Sequence, residues 1–107
     1  MRMKHIDPVQ FVKLLQSEEG SQLHIIDVRE QEEWDFYHLD EAKLIPMSEF
    51  VSRLSEVPDD RDVYIVCGHG VRSQRVISYL EQQGFDNAIN VIGGMAAVAA
   101  QRGFEYD

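Results

Sequence analysis

The residues with the most chemistry in them lie together. Cys67-Gly68-His69-Gly70-Val71-Arg72-Ser73 contains the chain's single cysteine, followed by two glycines and an arginine. A thiolate is a strong nucleophile and a thiol a weak one, so the surroundings of Cys67 decide whether it reacts. Gly68 and Gly70 allow a tight curl, in which successive backbone N–H groups point inward as a nest for an anion. A helix predicted to start near Arg72 aims the positive end of its dipole at the same point. Each feature favours negative charge on sulfur, so the expectation is an acidified thiol ringed by donors that can hold an anion or a second sulfur. A plainer reading stands beside it: Cys67 as a small hydrophobe, Arg72 and Ser73 as ordinary first-turn residues. Arginine at a helix N-terminus opposes the dipole, however, and a broken local rule next to a cysteine points to function.

The rest of the composition narrows the classes. A chain of 107 residues has room for one domain, expected to span 1–107. With 19 acidic against 10 basic residues and a net charge of -9, nucleic acid is not the expected partner, because phosphate neutralisation needs a basic face. The charge is uneven: residues 27–62 are rich in Asp and Glu, whereas Val63 to Leu80 holds no acid but carries His69, Arg72 and Arg75. An acid-free, locally positive segment in an acidic protein is where an anion site belongs. One cysteine makes neither an internal disulfide nor a multi-thiolate zinc site, and four histidines add no metal-ligand spacing, so no metal and no cofactor are expected. The reducing cytoplasm is the expected compartment. Apolar runs such as Val63–Cys67 are far shorter than a membrane span, and the start, Met1-Arg2-Met3-Lys4-His5-Ile6-Asp7, opens no signal-like apolar region.

The elements that must position the loop alternate in type. Asp7-Pro8 caps and starts a helix through Leu15, with Gln10 where a capping box wants Glu or Gln. Leu23–Val28 reads as a buried strand, Glu30–Phe36 as one or two helical turns, and Lys43–Pro46 as a brief extended segment ended by proline. Ser48 is the expected N-cap of a helix carrying Phe50, Val51 and Leu54 and stopped near Pro58. Asp62–Val66 is the clearest strand, Arg72–Gln83 a helix with Val76, Ile77 and Leu80 on one face, and Gly84 its stop. Ala88–Ile92 is a last strand; Gly93-Gly94 turns the chain into an Ala-rich helix, Met95–Gln101. Alternation of this kind predicts an α/β fold, a parallel sheet covered by helices on both faces. Cys67 then sits at the carboxyl end of a strand, where such sheets bind ligands.

In this order and spacing, several short pieces resemble the single-domain rhodaneses, a family of sulfurtransferases. They are Ile25-Ile26-Asp27-Val28-Arg29-Glu30 with Glu33-Trp34, His38-Leu39 with Ala42 and Ile45-Pro46, Val63–Cys67, Gly70 with Arg72-Ser73, Gly84-Phe85 and Gly93-Gly94. The resemblance implies a rhodanese-like parallel sheet flanked by helices, and a Cys67 that carries a persulfide within the loop Gly68, His69, Gly70, Val71, Arg72 and Ser73. Two positions depart from the pattern: Glu41 where the family has glycine, and Val98 in place of a familiar tryptophan. Both lie away from the loop.

Other residues divide between structural and functional roles. Asp27 and Arg29 read as an ion pair or cap that fixes the turn, with a supporting place in the site. Arg29 and Glu33 stand four apart and can pair on a helix. His38 reads as structural, Trp34 and Phe36 as core or rim, and His69 either as a donor to an anion or as solvated. The leading function is transfer of sulfane sulfur, from thiosulfate or another persulfide donor to cyanide, a thiol or a protein thiol, in two covalent steps. A Cys-Arg phosphatase is the second class, but Cys67 and Arg72 enclose a loop one residue shorter than that signature, and Val66 stands where the larger phosphatase family usually has histidine. A non-catalytic binding module or redox sensor is the third, although a sensor commonly has a resolving cysteine and this chain has none.

Overall fold

The computed structural model describes residues 3–106. Five strands form one parallel sheet: β1 (Lys4–Ile6), β2 (His24–Asp27), β3 (Ala42–Leu44), β4 (Val63–Val66) and β5 (Ala88–Val91), in the order β1-β5-β4-β2-β3. Four α-helices cover it: α1 (Pro8–Gln16), α2 (Gln31–Phe36), α3 (Arg72–Gln82) and α4 (Gly94–Gln101). The expected α/β architecture is therefore present. No helix among the described residues is long and apolar enough to cross a membrane.

β4 is the centre of the molecule, and its sequence shows why. All four of its residues are buried, since a middle strand in a parallel sheet has helices on both faces. Its alternate side chains enter two separate cores. Val63 and Ile65 pack with Val76, Ile77 and Leu80 of α3, and with Ile26 and Phe50. Tyr64 and Val66 join Phe11 and Val12 of α1 with Met95 and Val98 of α4. The carboxyl end of β4 thus emerges between two packed layers, which fixes where Cys67 begins.

Local signals account for most boundaries. Asp7 caps α1, accepting from Val9 N at 2.7 Å and Gln10 N at 3.3 Å. At the end of α3, Gly84 N donates to Glu81 O and Phe85 N to Leu80 O, so the helix closes in a Schellman pattern. β1 goes beyond the elements read from the sequence: as a short edge strand, Lys4-His5-Ile6 carries too little pattern to signal itself, and its pairing with β5 reveals it. One expectation needs correction: Ser48 is not an N-cap. The segment after Pro46 forms two 3₁₀ turns, Met47–Glu49 and Val51–Glu56, and Ser48 lies inside the first. Its hydroxyl donates to Glu30 Oε1 at 2.8 Å instead. Arg53, at φ -114° and ψ 19°, breaks helical continuity there.

Candidate active site

Cys67 follows β4 directly, and the loop behind it is closed from three sides. Its side chain is 1% exposed. Gly70 N donates to Cys67 Sγ at 3.0 Å, so the chain curls back onto its own sulfur. That curl requires φ +94° at Gly70, a region that disfavours any side chain. From α3, Ser73 brings its buried Oγ to 3.4 Å from Sγ. From the other side, the first turn of α4 donates to the loop's carbonyls: Met95 N to Cys67 O at 2.6 Å and Ala96 N to Gly68 O at 3.0 Å. Gly94 makes this approach possible. It has φ +62°, and a β-carbon there would come within 2.7 Å of the Gly68 carbonyl.

Arg72 departs from the simplest picture of an inward-facing anion hook. Its guanidinium makes two parallel bonds to Glu33 of α2, Nη1 to Oε1 at 2.6 Å and Nη2 to Oε2 at 2.7 Å. It lies across the loop, with Nη2 only 3.0 Å from where a Gly68 β-carbon would stand. The bidentate bond holds the Glu33 carboxyl below its ordinary range and pushes the Arg72 guanidinium up. A cation in the first turn of α3 opposes the dipole, and the Glu33 carboxylate offsets that cost. Glu33 does not reach Arg29 through its carboxylate, as the four-residue spacing had suggested. Arg29 Nη1 bonds the Glu33 backbone carbonyl, at 3.3 Å.

Asp27 and Arg29 form a fully buried ion pair at the carboxyl end of β2, Nη2 to Oδ2 at 2.8 Å. Arg29 also donates to the Tyr37 carbonyl at 2.6 Å and to Tyr106 Oη at 2.9 Å. Every one of its N–H groups therefore has an acceptor, and none is spare for substrate. Arg29 instead ties β2, α2 and the C-terminal segment beside the loop. Tyr106 is the residue the sequence did not reveal. Its ring meets His69 edge-on at a centroid distance of 5.9 Å, so the exposed His69 is part of the loop's rim. Trp34 and His38 stack on each other with ring centroids 4.0 Å apart, and His38 Nδ1 also bonds Trp34 O at 2.7 Å.

A strand-end cysteine with the Gly70 N–H and the Ser73 hydroxyl on its sulfur is a geometry that can hold charge there. Residues 8–101 match the rhodanese-like domain. The chain belongs to that family. It is 40% identical over 84 residues to the probable adenylyltransferase/sulfurtransferase MoeZ of Mycobacterium tuberculosis, a match covering 77% of this chain but 21% of that protein. It is 31% identical to the thiosulfate sulfurtransferase GlpE of Shewanella oneidensis, covering 79% of this chain and 84% of the relative. The crystal structure of a rhodanese-like domain protein from Staphylococcus aureus superposes with a TM-score of 0.81 at 40% identity, covering 90% of this chain and 91% of that one. The chain thus shares its rhodanese-like domain with proteins named as sulfurtransferases, and it spans only about a fifth of the MoeZ protein's length.

Proposed function

We propose that Cys67 accepts a sulfane sulfur as a persulfide and passes it to a thiophilic acceptor. In the first step the Cys67 thiolate attacks the outer sulfur of the donor. A new S–S bond forms at Cys67, the donor's own S–S bond breaks, and sulfite or a thiolate leaves with the electron pair. In the second step cyanide, a small thiol or a protein thiolate attacks the outer sulfur of the persulfide, and Cys67 departs as thiolate. The Gly70 N–H at 3.0 Å from Sγ is the observation that carries this reading. It stabilises the negative charge that sulfur bears before the first step and after the second. The loop from Cys67 to Arg72 is one residue shorter than the Cys-Arg phosphatase signature, and the smaller ring suits a single sulfur atom better than a phosphate tetrahedron.

The donor class follows from Glu33. A small dianion such as thiosulfate must compete with a carboxylate already seated on Arg72, and must approach a protein of net charge -9. Both effects favour a persulfide carried by a thiol or a protein over thiosulfate. Residues 1–107 would act as one catalytic unit, in a reducing compartment such as the cytoplasm where Cys67 stays free. Steady-state rates with thiosulfate and with glutathione persulfide, using cyanide as acceptor, test the proposal. Parallel double-reciprocal lines are expected, with complete loss of activity in Cys67→Ser. Residual turnover in a folded Cys67→Ser protein would overturn it.

A further inference from the structure

Behind the catalytic cysteine runs a chain of polar side chains that the loop itself does not require. Ser73 Oγ donates to Asn90 Oδ1 of β5, and Asn90 Nδ2 stands 3.0 Å from Nδ1 of His5 on β1. Ser73 and Asn90 are 0% and 1% exposed, whereas His5 is exposed at the sheet edge. A buried asparagine in a central strand is costly unless its donors and acceptors are all engaged. Here they link the sulfur to an ionisable ring at the surface. We infer that His5 is a positioning residue whose protonation sets the direction of this hydrogen-bond chain and so favours the thiolate form of Cys67.

Counting donors and acceptors gives the mechanism. In one direction the Cys67 S–H donates to Ser73, the Ser73 O–H donates to Asn90 Oδ1, and the Asn90 N–H donates to an unprotonated His5 Nδ1. In the other, the amide is turned over. His5 Nδ1–H donates to Asn90 Oδ1, the Asn90 N–H donates to Ser73 Oγ, and the Ser73 O–H points at a sulfur that has lost its proton. Neutral His5 serves either direction, since its proton can sit on either nitrogen. Protonated His5 serves only the second, because otherwise two N–H groups face each other. Cationic His5 and anionic Cys67 therefore support each other, with one proton moved from sulfur to imidazole through solvent.

Other charged groups near the two ends are already engaged. Beside Cys67, Arg72 is tied to Glu33, Tyr106 accepts from Arg29, and His69 lies on the rim. Beside His5, Lys4 Nζ bonds the Asp86 carbonyl and the Asp7 carboxylate caps α1. Among the described residues no ion pair joins His5 to a carboxylate.

The test does not depend on sulfur transfer. The chain has one cysteine, so the ultraviolet absorbance of its thiolate, with Cys67→Ser as background, reports Cys67 alone. At about pH 6, where an ordinary histidine is largely protonated, the wild type should show a thiolate fraction about 5-fold or more above that of His5→Gln. At about pH 9 the two should converge, because His5 is then neutral. Ser73→Ala should abolish the difference made by His5→Gln. Should that variant not fold, nuclear magnetic resonance titration of His5 decides, since linkage is reciprocal. His5 should then hold its proton to higher pH in the wild type than in Cys67→Ser. Equal thiolate fractions at the lower pH, a ratio that stays the same at both, a difference surviving Ser73→Ala, or identical His5 titrations would each overturn the inference.

Discussion

At the scale of single residues, the site is governed by which partner each charge has chosen. Glu33 and Arg72 face each other 39 positions apart in sequence, and their bidentate contact turns an apparent anion hook into a guarded one. The two partners should therefore mutate in opposite directions. Arg72→Ala removes a charge-assisted bond worth about 1.5–3 kcal/mol, so KM for thiosulfate should rise about tenfold or more with a smaller change in kcat. Glu33→Gln removes the competing carboxylate, and KM for thiosulfate should fall. Steady-state kinetics on the two variants check both signs, and parallel changes would show that Arg72 does not meet the donor. The sequence made Arg72 legible because it broke the helix-dipole rule in a loop with cysteine. It could not show Glu33 as the partner, since local spacing pointed Glu33 at Arg29 and only the packing of α2 against the loop brings it to Arg72. Tyr106 and Asn90 were hidden for the same reason: an isolated tyrosine or strand asparagine has no periodic signal.

At the scale of elements, two helices meet one loop, and the meeting is made by glycine. The pair Gly93-Gly94 reads in the sequence as a turn. In the structure Gly94 lets the start of α4 donate to the carbonyls of Cys67 and Gly68. Gly94→Ala adds a β-carbon against that backbone at φ +62°. We expect a loss of about 2 kcal/mol or more in urea unfolding, with sulfur transfer reduced beyond what the remaining folded fraction explains. Unchanged stability and rate would mean that α4 is not what seats the loop. The strands and helices with strong periodicity, β4 and α3 above all, were legible because burial on both faces or on one face writes itself into residue order. β1 and the 3₁₀ turns after Pro46 were not. Three residues are too few to show alternation, and an N-cap serine with apolar followers does not distinguish an α-helix from two short turns.

At the scale of the molecule, the parallel sheet with two cores presents the carboxyl end of its middle strand, β4, between the two packed layers and collects acidic partners around its cations. That arrangement makes stability depend on pH. Glu33 is held below its ordinary value chiefly by Arg72, and Glu56 is brought down to about 2 by Arg53 and Lys43. For carboxyls lowered on folding, the stabilisation is present above the unfolded value near 4.5 and is lost as pH falls through the folded one. The midpoint of urea unfolding should thus drop as pH falls below about 4.5, and Glu33→Gln should make that acid limb shallower. An unaltered limb would show that the Glu33–Arg72 contact contributes nothing to folding. The central claim, however, concerns one sulfur atom. Intact-mass spectrometry of the protein after incubation with thiosulfate or glutathione persulfide should show the gain of a single sulfur. Cyanide should remove it, and Cys67→Ser should never acquire it. A folded wild-type protein that takes up no sulfur from either donor would contradict the account.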